Sequence, residues 1–228
     1  MNKEWIQAPL NGTHKGPPLG MLAIVYVVLF AVSTVIMPIL THGAPMPMPY
    51  GPAELSRHYY LQFPDALRIN AWLQFGSIIP LGIFTAAITS RLKFLGINAS
   101  GVNIALFGGI GASLFLGFSG LASWVQSQPG ISNDIGSMRV VQLSGFFCGG
   151  VAHVVLFGLL LAGVSVTARF RGLISSGLFW FGMITAAFAE LSSLSIIFPI
   201  LSIFIPLGRY PGFIWMIIVG FKLPLSVK

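Results

Sequence analysis

Charged side chains are scarce in this sequence, and acidic ones are the scarcest. Lys, Arg, Asp and Glu make up 7% of the 228 residues, and only 5 residues are Asp or Glu. Soluble domains carry roughly 25% charged residues, so this composition does not suit a water-exposed globular surface. The formal net charge of +7 does not indicate nucleic acid, because the basic residues lie at the ends of apolar runs and form no basic cluster with interleaved aromatics. We predict no nucleic-acid partner.

Cysteine and the compact catalytic motifs are also missing. The single Cys148 lies inside an apolar run, which excludes a disulfide framework and a Cys-x-x-Cys metal site. The sequence has no phosphate-binding glycine loop, no His-Glu-x-x-His and no paired carboxylates. His42, Met46, Met48 and His58 are residue types that bind copper(I), but two methionines one residue apart make a weak site, and we favour a proline-stiffened loop with incidental methionines. We therefore predict neither a metal nor a cofactor.

Long apolar runs are what the sequence has in abundance. Hydrophobic residues make up 55% of the chain, and about 20 of them in a helix cross the roughly 30 Å core of a bilayer. Six such runs cover approximately residues 21–40, 64–91, 101–125, 139–171, 172–190 and 196–221. These runs predict an all-α polytopic membrane bundle of six transmembrane helices, with residues 1–20 as a polar cytoplasmic tail and 21–228 as one membrane domain.

The longest polar connection follows the first run, over residues 41–64. Four prolines between positions 45 and 52 exclude a helix there, because each lacks an N–H donor and restricts its predecessor. After Pro52, the side chains of Leu55, Tyr59 and Phe63 recur on one helical face. This pattern predicts a short helix lying in the membrane interface.

The distribution of basic residues predicts the orientation. With the N-terminus inside, the inner segments hold eight Lys and Arg residues: Lys3, Lys15, Arg91, Lys93, Arg169, Arg171, Lys222 and Lys228. The outer segments hold three: Arg57, Arg68 and Arg139. Because basic residues accumulate on the cytoplasmic side, we predict a multi-pass protein of the cell (inner) membrane with both termini in the cytoplasm.

Small residues recur on the third run at every fourth position. They are Ala105, Gly109, Ser113 and Gly117. The fourth run carries Gly145 and Gly149, a Gly-x-x-x-Gly pair. Such rows allow two helix backbones to approach closely, so the pattern predicts tight packing of the third helix against the fourth.

Polar side chains on two runs predict a pocket. Asn70, Gln74 and Ser77 follow a spacing of i, i+4 and i+7 and therefore share one helix face. Gln142 lies in the outer half of the fourth run, as those three do in the second. Together with His153, these residues predict an outward-facing polar pocket.

His153 is the one histidine inside an apolar run. It lies 14 residues beyond Arg139, which is about 21 Å along a helix, so it is predicted near the bilayer midplane. Ionisable groups at that depth are costly and typical of functional sites. His153 is predicted to share a helix face with five other residues: Gln142, Phe146, Gly149, Gly150 and Phe157. The alternative is a neutral histidine that makes one interhelical hydrogen bond, worth about 1 kcal/mol.

Arg209 lies in the stretch Pro-Leu-Gly-Arg-Tyr-Pro-Gly, which we predict to interrupt the sixth crossing. In such a break, freed backbone groups and a charge can line a polar cavity for an anionic headgroup or a carboxylate. The alternative is an arginine that extends to the interface or caps exposed carbonyls. A second interpretation of this region continues the fifth helix to Pro206, which buries Glu190 instead. We favour the first interpretation, with a hairpin after Glu190.

The motif Gly-Phe-Ser-Gly around Ser119, with the Ala-His pair that ends in His153, resembles the rhomboid proteases. The resemblance implies an intramembrane serine hydrolase in which Ser119 is the nucleophile and His153 the base. A small-residue packing row explains the same residues without catalysis.

The helix count, the long first outer loop and the closing Phe-Ile-Trp-Met-Ile-Ile-Val-Gly-Phe resemble a broad group of bacterial six-helix membrane proteins, which implies architecture alone. Our leading hypothesis is a non-enzymatic protein that binds or passes a small amphipathic molecule or a lipid. Its predicted site residues are Asn70, Gln74, Ser77, Gln142, His153 and Arg209. The alternatives are an accessory subunit of a membrane complex, with a membrane-protein partner or a second copy, and the serine hydrolase.

Overall fold

The computed structural model describes residues 12–226, and within that range the chain is helical and contains no β-strand. The α-helices are α1 (Leu19–Leu40), α2 (Ala53–Gln62), α3 (Pro64–Phe94), α4 (Ser100–Gln126), α5 (Ile135–Phe147), α6 (His153–Phe170), α7 (Ser176–Leu191) and α8 (Phe204–Lys222). A π-helical turn, Cys148–Ala152, joins α5 to α6 in one rod. Short 3₁₀ turns cover Ile131–Asn133, Ser192–Ile196 and Pro199–Ile203.

Six of these segments are long and apolar enough to cross a bilayer, which confirms that part of the predicted architecture. They are α1, α3, α4, the rod 135–170, α7 with its following turn, and α8 with its preceding turn. The backbone N–H of His14 donates to the carbonyl of Leu225 at 2.8 Å, so both ends of the described chain lie at the same end of the bundle. We call this end the terminal face. The opposite end, which carries residues 41–63, is the loop face.

The spanning helices form a closed ring. Each packs against the next along the chain, and α8 returns to α1. The interior is filled by large side chains with no exposed surface, including Tyr26, Phe84, Phe157 and Trp215. The indole N–H of Trp215 donates to the carbonyl of Leu178 at 2.9 Å, which satisfies its polar group inside the apolar core.

Small residues on α4 do allow close packing, but the predicted row faces mainly a different helix. A Cβ on Gly109 would lie 2.2 Å from Thr85 Oγ1, so this position packs against α3. The close approach to α6 uses Gly108, where a Cβ would lie 2.5 Å from the carbonyl oxygen of Leu156. The predicted Gly145 and Gly149 do face α4, where added Cβ atoms would lie 2.9 Å from Ala122 Cβ and 2.2 Å from Ser119 Oγ. The tight pair is therefore confirmed, but the predicted row on α4 is only partly right, because spacing alone does not say which neighbour a row faces.

The sixth crossing is a continuous helix, so the predicted break around Arg209 is wrong. Pro206 lies in the first turn of α8, where an N–H would have no partner within the helix. Pro211 lies inside the helix and removes only one backbone hydrogen bond. Gly208 serves close packing, since a Cβ there would lie 2.7 Å from Ala189 Cα on α7.

The hairpin after Glu190 is confirmed. Helix α7 ends at Leu191, and the 3₁₀ turns then lead to α8. Glu190 is exposed, whereas Arg209 lines a cavity inside the bundle. The helix predicted after Pro52 is α2, but its buried residues are Ser56, Tyr59 and Tyr60, and Leu55 is 64% exposed.

Replacing Gly108 by Ala is expected to lower the free energy of unfolding by about 1–3 kcal/mol through overpacking. The added methyl group would meet the backbone of α6, which cannot move aside as a flexible side chain can. Gly76→Ala is the matched control on α3, where no atom lies within 4 Å of an added Cβ, and it should stabilise by about 0.5–1 kcal/mol. Thermal unfolding in one detergent compares the two variants. Equal melting temperatures would contradict the close approach of α4 to α6.

Candidate functional site

A cavity of about 590 Å³ opens at the loop face, a volume within the range of small-molecule sites. We call it the loop-face cavity. Its walls come from α1, α3, α4, α5 and α8. Residues 43–49 and the side chains of Tyr59 and Tyr60 form its roof. Burial raises the pKa of Tyr60 to about 12, so its hydroxyl remains protonated and can donate a hydrogen bond at neutral pH.

The cavity also reaches the side of the bundle. Thr34 of α1 and Tyr210 of α8 both line it and are both exposed. Each lies 6 residues from the loop-face end of its helix, which is about 9 Å along the axis. Nearer the terminal face the two helices pack together, with the rings of Phe30 and Phe213 5.2 Å apart. The cavity lining therefore reaches exposed positions on α1 and α8, below the helix ends and above this aromatic contact, and we call this stretch the lateral opening.

Arg209 lies at the deep end of the cavity. Its Nη2 donates to the carbonyl of Gly149, and its guanidinium carbon lies 5.1 Å from the ring centroid of Phe30, a cation–π contact. Its Nε is buried and has no hydrogen-bond partner among residues 12–226. No Asp or Glu occurs among the described residues that line the cavity, so the floor carries one uncompensated positive charge.

The π-helical turn is what frees the carbonyl of Gly149 for Arg209. In a regular α-helix, the N–H of His153 would donate to the carbonyl of Gly149, four residues earlier. Here it points instead to the carbonyls of Cys148 and Gly150. Gly149 also allows the close approach of α4, because a Cβ there would lie 2.2 Å from Ser119 Oγ.

Three neutral polar side chains complete the deep end: Asn70, Gln74 and Ser119. A Cβ on Gly149 would lie 3.7 Å from Gln74 Nε2 as well as close to Ser119 Oγ, so these groups converge on the glycine that Arg209 binds. Asn70 lies one helical turn nearer the loop face. None of these three side chains makes a hydrogen bond to another residue in the described part of the chain. The arrangement offers several hydrogen-bonding groups to whatever fills the cavity.

Gln142 lines the cavity, but its hydrogen bonds are used to hold the roof. Its Nε2 donates to Ser56 Oγ of α2 at 2.9 Å, and its Oε1 accepts from Arg139 Nη1 at 2.9 Å. Both ends of the amide are therefore engaged within the protein. Gln142 connects α2 to α5 and fixes the roof over the polar floor.

Ser77 and His153, the other two predicted site residues, lie outside the cavity. Ser77 is fully buried, and its Oγ donates to the carbonyl of Gln74 at 2.6 Å. His153 is also fully buried, with Nδ1 2.9 Å from the carbonyl oxygen of Ala112 and Nε2 3.3 Å from Tyr26 Oη. Because a carbonyl only accepts, Nδ1 carries the proton in this arrangement. His153 therefore matches the alternative interpretation, an interhelical hydrogen bond.

The π-helical turn also explains why His153 and Gln142 do not share a face. The predicted face included Gln142, Phe146, Gly149 and Gly150, and all four line the cavity. One extra residue per turn rotates everything after it by about 100° relative to a regular helix. His153 follows that turn and therefore points into the core.

The serine–histidine pair that the rhomboid resemblance implies is not formed. Ser119 lines the cavity, whereas His153 bonds to Ala112, which lies 7 residues earlier on α4 and so about 10 Å along the axis. In the loop, Met46 and Met48 line the roof of the cavity and the two neighbouring histidines do not. Across the described residues, no group of three or more His, Cys, Asp or Glu side chains is placed to hold a metal ion.

Sequence reasoning missed the roles of Ser119 and of the Gly149 carbonyl in the cavity. The sequence pattern indicates Ser119 only as a nucleophile or a packing residue, although a serine on a helix that faces polar neighbours is also suited to a cavity wall. The paired glycines before His153 were the available signal for an irregular turn, since glycine is a poor helix former.

Gln142→Leu is expected to loosen the roof, because Ser56 and Arg139 then lose a partner, at a cost of about 1–3 kcal/mol. Hydrogen exchange of the α2 amides should accelerate, while exchange in α7 stays unchanged. Gln62→Leu is the control on α2, since Gln62 is exposed and lies outside the cavity. Unchanged protection of α2 in Gln142→Leu would show that this side chain does not hold the roof.

Comparison with protein-family models, with curated proteins and with solved structures finds no match to this chain. The functional argument therefore depends on the geometry of the loop-face cavity. That geometry combines a roof and sides of mixed but largely apolar side chains, four polar side chains at the deep end, and exposed lining residues at the side of the bundle.

Proposed function

We propose that this protein is a multi-pass membrane protein that binds a small amphipathic molecule or a lipid in the loop-face cavity, or passes it onward. The observation that carries the proposal is that one cavity combines a lining rich in apolar side chains with a charged guanidinium and polar side chains at its deep end. An amphipathic molecule presents the matching combination, with one polar end and an apolar body.

The lateral opening supports entry from the membrane. Amphipathic molecules concentrate in a bilayer, with their polar groups near the interface and their chains within the core. An opening about 9 Å below the helix ends between Thr34 and Tyr210 lies at the depth where such a molecule would meet the protein. The exposed side chains around the outside of α1 and α3 are predominantly apolar, as expected of a lipid-facing surface.

We propose that the protein lies in the inner membrane of the cell. Its loop face then lies on the side away from the cytoplasm. Lys3 and Lys228 lie outside the described residues. The other six basic residues assigned to the inner side lie towards the terminal face, and Arg57, Arg68 and Arg139 lie towards the loop face. The asymmetry favours a cytoplasmic terminal face. In this orientation α2 lies in the outer interface, with the exposed Leu55 available to the headgroup region.

A ligand-binding measurement tests the proposed function. Three probes with the same chain, decanoate, decanol and decyltrimethylammonium, are titrated against the protein in nanodiscs, with protein-free nanodiscs as the correction for partitioning. At least one probe should bind saturably. Filling the cavity with Thr34→Trp or Ser123→Phe should weaken that binding about tenfold or more, corresponding to at least about 1.4 kcal/mol.

Val35→Trp is the matched control for the cavity-filling variants. Val35 adjoins Thr34 on α1 and is exposed, but it does not line the cavity. The control should bind the probes as the unmodified protein does. If no probe binds saturably, or if Val35→Trp and the cavity-filling variants behave alike, the cavity is not the binding site and the proposed function fails.

Labelling of engineered cysteines tests the orientation. In a Cys148→Ser background, Met48→Cys on the loop face should react with a membrane-impermeant maleimide in intact cells. Lys93→Cys on the terminal face should react only after the cells are permeabilised. Both positions are exposed, so reactivity reports the side of the membrane. The reverse pattern would place the cavity on the cytoplasmic side.

A second candidate function is an accessory subunit of a membrane complex. It is favoured by a cluster of exposed apolar side chains in the turn before α8: Ile196, Ile197, Phe198, Ile200 and Ile203. This cluster would suit the helix of a membrane-protein partner or of a second copy. Purification in mild detergent followed by native mass spectrometry distinguishes a complex from a single chain carrying a bound small molecule.

A further inference from the structure

We propose that the ligand of the loop-face cavity carries one negatively charged oxygen-containing group, such as a carboxylate, which binds Arg209, while its apolar body occupies the upper cavity. This inference rests on the proposed function and specifies the chemical class of the ligand. It excludes neutral, cationic and zwitterionic molecules as the preferred occupants.

The first reason to expect an anionic ligand is the charge of the cavity lining. Arg209 is the only charged side chain among the described residues that line it. The ion pairs in the described chain join Arg57 to Glu54 and Arg68 to Asp65, both on exposed parts of the loop face. A guanidinium held in an apolar bundle without a counter-ion is costly, because little water is there to solvate it. An anion in the cavity would remove that cost.

The second reason is the geometry around Arg209. The carbonyl of Gly149 accepts from Nη2, and the ring of Phe30 lies beside the guanidinium. These contacts hold the group in place, while Nε–H is left buried and without a partner among the described residues. Nη1 also has no partner among the described residues and, unlike Nε, is not enclosed by protein atoms, so it can donate a charge-assisted hydrogen bond to a carboxylate in the cavity. The Gln74 amide and the Ser119 hydroxyl, next to Gly149, can donate further bonds to the same oxygens.

The absence of acidic groups from the described lining sets the net charge of the ligand. A zwitterionic headgroup would bring a cation for which the cavity offers no carboxylate. A doubly charged anion would leave one negative charge unpaired, since Arg209 supplies a single positive charge. The deep end therefore suits one negative charge. Around the upper cavity, Met37, Met48 and Phe146 offer an apolar surface to the rest of the molecule.

Two sources could supply such an anion, a long-chain acid from the membrane or a water-soluble carboxylate from the loop face. Titrations with decanoate and with benzoate distinguish them, because decanoate concentrates in the nanodisc and benzoate remains largely in water. Binding of decanoate alone indicates the membrane source, and binding of benzoate alone indicates the aqueous source. Either result supports an anionic ligand, and failure of both anions overturns it.

The ranking of the three straight-chain probes is the direct test and needs no variant. After correction for partitioning, decanoate should bind at least about tenfold more tightly than decanol, and decyltrimethylammonium more weakly than either, because charge-assisted hydrogen bonds favour only the anion. Equal binding of decanol and decanoate would overturn the inference while leaving the proposed amphipathic site intact. If no probe binds saturably, both the inference and the proposed function fail.

Arg209→Gln tests the residue itself. Gln has no charge and is too short to reach the carbonyl of Gly149, so decanoate binding should weaken about tenfold to a hundredfold, while decanol binding, which needs no charge, changes by less than about twofold. Arg209→Lys keeps the charge and should retain more of the decanoate affinity. Arg169→Gln, an exposed position near the terminal face, is the control for net charge and should have no effect. Unchanged decanoate binding in folded Arg209→Gln protein would also overturn the inference.

Discussion

The hydrogen bond from Arg209 to the carbonyl of Gly149 is the contact that fixes the charged group at the deep end of the loop-face cavity. It joins α8 to the rod formed by α5 and α6, and it holds a charged group inside a bundle built almost entirely from apolar side chains. The bond exists because the backbone of the rod departs from regular α-helical geometry at Cys148–Ala152. A local irregularity in one helix thus provides the acceptor for a cation on another.

The same irregularity separates two environments along one rod. Before the π-helical turn, Gln142 and Phe146 face the cavity, and after it, His153 and Phe157 face the core. On the core side, both ring nitrogens of His153 have hydrogen-bond partners, at Ala112 and Tyr26, and the ring stacks on that of Phe157. The cavity side has spare hydrogen-bonding capacity at Arg209, Gln74 and Asn70. This contrast is the main physical reason to place binding in the cavity and a structural role at His153.

Much of the architecture was predictable because apolar runs directly reflect the length of a spanning helix. The six runs, the helix after Pro52 and the hairpin after Glu190 all followed from residue order and helical spacing. The errors share a cause, which is that spacing along one helix does not fix its rotation against its neighbours. The row containing Gly109 faces α3, and the extra residue before His153 turns that side chain away from Gln142. Prolines near Arg209 suggested a broken helix, but Pro206 falls where a helix tolerates it.

The aromatic side chains on the terminal-face side of Arg209 close the cavity at its deep end. The rings of Tyr26 and Phe157 both lie against Phe213, at centroid distances of 5.2 and 5.9 Å, and all three side chains are almost completely buried. In a bilayer, a molecule that enters between α1 and α8 would therefore sample a single leaflet and leave by the route it came. Passage to the other leaflet would require these rings to separate, because their packing closes the bundle at this depth.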